Sequence, residues 1–303
     1  MQDQQQPTAP ARPVIFGEVL FDHLPDGRAV LGGAPFNVAW HLQGLGLRPL
    51  LVSRIGDDAQ GEQVLATMQA WGMDTVGVQR DPQRPTGAVQ VTLENGIPGF
   101  HILPDQAYDH IDPAEATRVC LAAPAPHLLY HGTLAVRSKT SKDALTGLRA
   151  LGLPAFIDVN LRSPWWERQQ VLGLLRGARW LKLSGDELDA LGDEREALST
   201  KAHVMRARYG LDLLVVTEGE AGAQVFTPHG RCTQAAVPAE PLADTIGAGD
   251  AFSAVCLLGI IRGWPITDTV ARAAELAARI CMRPGATHAD PGLYADLLTR
   301  WAA

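Results

Sequence analysis

Apolar positions come in short dense runs along most of this chain. Residues 14–20 form one, β-branched at its start, and predict a strand. After Gly32-Gly33, apolar Phe36, Val38, Ala39, Trp40 and Leu42 predict a helix ending near Gly44 or Gly46. Residues 50–55 predict a strand and 63–71 a helix. Residues 88–93 alternate, Asn95-Gly96 turns and 100–103 returns, a hairpin pattern. Beyond residue 127, near-continuous apolar runs at 127–130, 155–159, 180–183 and 213–217 are mostly separated by helical stretches such as 139–151 and 166–176. Strands of that kind predict a parallel sheet covered on both faces. Residues 222–226 and 231–237 predict an antiparallel edge hairpin. Two long helices, 248–262 and 267–282, are expected to close the chain. The fold class is therefore α/β: a doubly wound, mostly parallel sheet with helices on both faces and a small β-sheet lid from about 18–31 and 85–110.

Composition narrows the function classes. The chain has 303 residues, 46% hydrophobic and 19% charged, with net charge -7, which fits a globular protein with a sizeable core. No Lys/Arg stripe is present, so no nucleic-acid partner is expected. No apolar stretch reaches membrane-span length, so no membrane partner is expected either. Residues 1–12, rich in Gln, Pro and Ala, read as a disordered tail before one domain over 13–303. Cys120, Cys232, Cys256 and Cys281 lack ligand spacing and read as reduced thiols of a cytoplasmic protein.

The chemistry concentrates in Asp244-Thr245-Ile246-Gly247-Ala248-Gly249-Asp250, which runs directly into an apolar helix. Glycines admit close backbone approach, and a helix N-terminus offers unpaired N–H groups and partial positive charge. That combination suits a transferring phosphoryl group, and a carboxylate at the same end can take a proton from an attacking hydroxyl. A Gly turn before an Asp-capped helix is the bland alternative. Upstream, Gly32-Gly33-Ala34-Pro35-Phe36-Asn37 brings a second helix start against a polar ligand. There Asn37 either offers donors and acceptors to that ligand or caps the helix. Gly17-Glu18-Val19-Leu20-Phe21-Asp22 ends a strand with a carboxylate, and Asp158-Val159-Asn160-Leu161-Arg162 places a guanidinium suited to phosphate oxygens at another strand end.

The two glycine strings, more than 200 positions apart in this order, closely resemble the end signatures of the ribokinase-like (PfkB) sugar-kinase family, and the resemblance spans about residues 14–290. It implies that Asp250 is the catalytic base and that Gly247, Ala248 and Gly249 form the anion hole. It implies sugar binding by Asp22, Gly33, Asn37 and Arg162. His131-Gly132-Thr133-Leu134 follows another strand and either meets the sugar or forms a strand-end turn with a satisfied His. It implies nucleotide contacts at Ser184, where the family usually has Asn, and at Thr217, Gly219, Gly222 and Gly249. Arg283-Pro284-Gly285-Ala286 resembles the segment closing the adenine pocket, and Arg54–Gly61 a characteristic stretch of structural role. ATP and Mg²⁺ follow, with Glu187 holding hydrated Mg²⁺ and Asp244 beside a monovalent cation, K⁺ being the candidate. Gly17-Glu18 and the 158–162 and 182–187 strings look like the fructokinase branch, implying fructose to fructose 6-phosphate. 2-Keto-3-deoxygluconate, ribose and nucleosides are the competing substrates, and a non-catalytic sugar sensor is the competing class. An exposed lid doubling as an interface implies a homodimer. No P-loop, Rossmann, zincin or nucleophile-elbow string is present.

Overall fold

The computed structural model describes residues 11–94, 97–192 and 196–302. The first third contains β1 (Arg12–Phe16), β2 (Leu20–His23), β3 (Ala29–Gly32), α1 (Ala34–Gly44), β4 (Leu50–Gly56), α2 (Ala59–Ala70), β5 (Val78–Asp81), β6 (Gly87–Glu94) and β7 (Ile97–Ile102). The middle contains α3 (Pro113–Ala122), β8 (Pro126–His131), α4 (Lys139–Ala150), β9 (Ala155–Asp158), α5 (Arg168–Leu174), β10 (Ala178–Ser184), α6 (Gly185–Leu191), α7 (Leu198–Tyr209) and β11 (Leu213–Thr217). The last part contains β12 (Ala223–Thr227), β13 (Gly230–Gln234), α8 (Ala248–Arg262), α9 (Ile266–Cys281) and α10 (Pro291–Ala302).

Nine strands form one sheet in the order β13-β12-β11-β10-β9-β8-β1-β4-β5. It is parallel from β5 through β11, and β12 and β13 add antiparallel at the edge. Alternation explains the continuous apolar runs. Ile15, Tyr130, Phe156 and Val215 face the core under α1, α8 and α9, while their neighbours Val14, Phe16 and Leu129 face the core under α3 and α4. Leu181, Leu183, Leu214 and Val216 enter a third cluster under α5, α6 and α7. Both sheet faces are therefore dry, as parallel strands require. A second sheet, ordered β3-β2-β6-β7, comes from the two segments assigned to the lid.

Several boundaries differ from expectation. The 14–20 run splits at Gly17, so that β1 enters the large sheet and β2 the small one. Gly17 has φ +149, and a Cβ there would lie 2.3 Å from Pro35 Cγ, so the chain leaves β1 by a path only glycine takes. The strand also starts earlier than the tail prediction allowed. Arg12 belongs to β1, donates its N–H to Ala125 O at 3.0 Å and pairs with Asp74 at 2.6 Å. Residues 1–10 of the proposed tail and the Asn95-Gly96 turn lie outside the described residues, although Glu94 pairs with Ile97 across that turn. Three helices, not two, close the chain. α10 buries Leu293, Tyr294, Leu297 and Trp301, and its Tyr294 hydroxyl meets His41 Nδ1 of α1 at 2.9 Å. Among the described residues, no helix is long and apolar enough to cross a membrane.

Candidate active site

Five parallel strands deliver their carboxyl ends to one edge of the sheet: β1 before Glu18, β8 at His131, β9 at Asp158, β10 at Ser184 and β11 at Thr217. α8 starts above them. Its cap, Gly247, has φ +79, and a Cβ there would lie 2.4 Å from Ala286 Cβ, so only glycine lets this loop pack on the 283–288 segment. Asp244 ties the two together, accepting from Ile246 N–H at 2.9 Å and Gly285 N–H at 2.8 Å. The ladder of α8 begins with Ala251 N–H donating to Gly247 O at 2.9 Å. That leaves the N–H groups of Gly249 and Asp250 ahead of it, at the positive end of the helix dipole.

A buried ion pair lies beneath this helix start. Lys182 and Asp158 are register partners on neighbouring strands, and Lys182 Nζ donates to Asp158 Oδ1 at 2.9 Å and Oδ2 at 2.8 Å. Ser253 Oγ, one turn into α8, donates to Asp158 Oδ2 at 2.7 Å. Burial pulls the Lys182 ammonium down, but Asp158 outweighs it and the net shift is upward. A Cβ on Gly249 would sit 3.4 Å from Lys182 Nζ, so a permanent cation lies directly under the anion-hole backbone. Sequence reading noted both strings but missed the pair; the signals were a lone Lys in an apolar strand and a lone Ser in an apolar helix.

Asp250 faces α1. Its Oδ2 accepts from Asn37 Nδ2 at 2.8 Å. Burial and the Asp158 charge raise its pKa to about 6, against the Asn37 hydrogen bond and the Lys182 and Arg162 charges; the residue as a whole is half-buried. Asn37 is buried and its Oδ1 has no partner. A Cβ on Gly32 would lie 3.8 Å from both Asn37 Oδ1 and Asp22 Oδ2, so two acceptors flank one point. Gly33 (φ +106) admits the backbone of Glu18, whose O would be 2.7 Å from an added Cβ. Burial raises the Asp22 pKa, opposed by Arg162 and His23. Arg162 is exposed and has no ion-pair partner among the described residues, yet its charge bears on Glu18, Asp22 and Asp250 together.

On the neighbouring strands, Ser184 caps α6 in a reciprocal box: Glu187 N–H donates to Ser184 Oγ at 3.2 Å, and Ser184 N–H to Glu187 Oε2 at 2.7 Å. Glu187 Oε1 also accepts from Leu161 N–H at 2.6 Å. Each carboxylate oxygen keeps a lone pair for water, which fits a hydrated metal ion held outwardly. Among the described residues no cluster of three His, Cys, Asp or Glu side chains forms a metal cage. Mg²⁺, which usually keeps its waters and phosphate ligands, suits such a site. Thr217 lies opposite Ser184 in register. Gly219 (φ +55) opens a 3₁₀ turn over Gly219–Ala221. The requirement for glycine at 222 is explained by packing, since a Cβ there would meet Gln234 O at 2.1 Å. His131 is buried, its Nδ1 is 2.8 Å from Gly132 O, and burial depresses its pKa to about 4, so it is neutral. In the 54–61 stretch, Asp58 caps α2 and Arg54 pairs with Asp81 at 3.0 Å, a structural role.

The family model described as pfkB family carbohydrate kinase matches residues 15–292. The chain is 31% identical to a fructokinase of Klebsiella pneumoniae over 281 residues, covering 88% of this chain and 90% of that one. It is 28% identical to fructokinase-2 of Oryza sativa subsp. japonica over 277 residues, with 82% and 80% covered. Its structure is similar to that of a fructokinase from Vibrio cholerae O395 in fructose, ADP and calcium ion bound form, with TM-score 0.76, 25% identity, and 95% and 99% covered.

Proposed function

Since the chain belongs to the pfkB family of carbohydrate kinases, we propose that it transfers the γ-phosphoryl group of ATP to a hydroxyl of fructose, giving fructose 6-phosphate. One observation carries the mechanism: Asp250 sits at the N-terminus of α8 and is held by Asn37 at 2.8 Å. A carboxylate placed there takes the proton of the attacking hydroxyl while the adjacent backbone N–H groups receive the phosphoryl oxygens. The hydroxyl oxygen bonds to the γ-phosphorus, the bond to the ADP oxygen breaks, and Lys182 beneath Gly249 offsets the charge in transit.

Asp22, Gly33 and Asn37 line the sugar side, with Arg162 above, and the β3-β2-β6-β7 sheet acts as a lid that excludes water. Ser184, Thr217, Gly219 and Gly222 line the nucleotide side. Mg²⁺ would be held through water by Glu187 and would neutralise phosphate charge when bound. K⁺ beside Asp244 belongs to the same proposal. Fructose is preferred because the Klebsiella and Oryza relatives are named as fructokinases and the Vibrio structure holds fructose and ADP. The fit of Gly17-Glu18 to that branch supports it too. Ribose, nucleosides and 2-keto-3-deoxygluconate use the same phosphate machinery and are the competitors. A panel of these acceptors with ATP and Mg²⁺ tests the proposal. Fructose should show the highest kcat/KM; a competitor far ahead of it would overturn the fructose assignment, and no turnover at all would overturn the kinase assignment.

A further inference from the structure

We propose that Glu18 is a specificity-determining residue whose side-chain Oε2 hydrogen-bonds a hydroxyl of the bound sugar other than the one phosphorylated. The inference rests on the sugar-kinase reading and adds a contact to it.

Glu18 is 4% exposed, and its Oε2 is buried with no hydrogen-bond partner. A buried carboxyl oxygen without a partner costs free energy, and native structures leave few of them. The fold does not fill the vacancy itself. Arg137, whose charge reaches Glu18, engages two of its nitrogens elsewhere: Nε and Nη2 bond Asp109 at 2.8 and 2.7 Å, Nη2 also bonds Leu103 O at 2.7 Å, and the guanidinium stacks 4.2 Å from the Trp165 ring, while its Nη1 is buried and makes no hydrogen bond, to Glu18 or to any other residue. Arg162 makes no ion pair with Glu18 among the described residues. The third charge near Glu18 is Asp250, which repels it. Tyr108 and Tyr130 also feel its charge, and neither donates to it. Burial accordingly lifts the Glu18 pKa to about 7.

The location explains what would satisfy it. Glu18 follows β1 at the carboxyl edge of the sheet, and its backbone is clamped against the start of α1 by Gly17 and Gly33. From there α1 continues to Asn37, whose Oδ1 is a second buried acceptor without a partner. Asp22 supplies further acceptors beside Asn37. Glu18 Oε2, Asn37 Oδ1 and Asp22 Oδ2 offer acceptors to the O–H donors that a polyol brings, while the partnerless donors of the surroundings, Arg137 Nη1 and the Tyr108 hydroxyl, leave Glu18 Oε2 unbonded. An orphaned acceptor also discriminates strongly, because an analogue lacking the matching hydroxyl leaves it buried and unpaired.

The test combines enzyme and substrate changes. Wild type, Glu18→Gln and Glu18→Ala are assayed on the best sugar of the panel and on its monodeoxy analogues, with ATP affinity measured separately. We expect Glu18→Gln to keep ATP affinity within about twofold and to raise the sugar KM about 10- to 100-fold, the loss of a hydrogen bond to a charged group. One deoxy analogue should be penalised by a similar factor in the wild type and by almost nothing in either variant. Equal penalties for every analogue in wild type and Glu18→Gln would overturn the assignment, as would a loss of ATP affinity parallel to that of sugar. If Glu18→Ala fails to fold, the Gln variant decides. Absence of turnover by wild type on every sugar is a different result; it overturns the kinase reading and this contact with it.

Discussion

Asn37 Nδ2 donates to Asp250 Oδ2 at 2.8 Å across 213 positions of sequence, joining the start of α1 to the start of α8. The bond fixes the carboxylate and favours its charged form, against the burial that disfavours it. Asp250→Ala should therefore lower kcat by about 10²- to 10⁴-fold, the usual worth of a positioned base, while ATP binding persists. Phosphorylation at the wild-type rate would remove Asp250 from the base role.

The same bond predicts a pH shift. A base works only when deprotonated, so kcat/KM should fall as pH drops through about 6, the raised Asp250 value. Glu18, at about 7, titrates in the same window, so the limb is best read in a Glu18→Gln background. Adding Asn37→Ala removes the donor that lowers the Asp250 value, and the acid limb should move to higher pH. An unmoved or downward-moving limb would mean that Asn37 does not tune Asp250.

Gly247→Ala tests the anion hole. The residue has φ +79, and its new Cβ would sit within 2.7 Å of both Cα and Cβ of Ala286. Left-handed backbone alone costs a non-glycine residue about 1 kcal/mol, and the clash must push the 283–288 segment away from α8. The expected outcome is a lower Tm by thermal denaturation and an ATP KM raised at least about tenfold. An unchanged ATP KM would separate this loop from the nucleotide site.

Lys182→Met should strand Asp158 as an uncompensated buried charge, at about 3–5 kcal/mol. Chemical denaturation of Lys182→Met, Asp158→Leu and the double variant checks it. The double variant should regain much of the lost stability, since well-packed apolar replacements often match a buried pair. It should not regain activity, because the cation under Gly249 is gone. Recovery of full activity by the double variant would limit Lys182 to holding the fold.

Much of this was legible beforehand because the two ends of the site are each local strings. Gly247–Asp250 and Gly33–Asn37 each encode a turn and a helix start within a few residues, so the turns are read locally, and the roles expected of them came with the family resemblance. The sheet was legible because both its faces are dry, which makes continuous apolar runs. What was not legible is what depends on register and packing. Lys182 meets Asp158 only because β9 and β10 align those two positions. The close approach of the Gly222 backbone to Gln234 of β13 is likewise a contact no local pattern predicts. Glu18 was visible as half of a dipeptide; its orphaned oxygen required the surrounding side chains to be placed.

Glu18 also predicts how stability depends on pH. Its pKa rises from 4.5 to about 7 on folding, so the folded state favours the protonated form. The sign follows from linkage: stability from this group is full below about 4.5, where both states are protonated, and is lost as pH rises through about 7. At about 1.4 kcal/mol per pH unit, the loss at alkaline pH is on the order of 3 kcal/mol. Glu18→Gln removes the ionisation while keeping the shape. In urea denaturation the variant should be more stable than wild type near pH 8, and the gain should shrink toward zero near pH 5. Bound sugar should narrow the difference at pH 8, because the wild type alone gains a partner for its carboxylate. A variant equally or less stable than wild type at pH 8 would show that the Glu18 carboxylate is already satisfied without substrate.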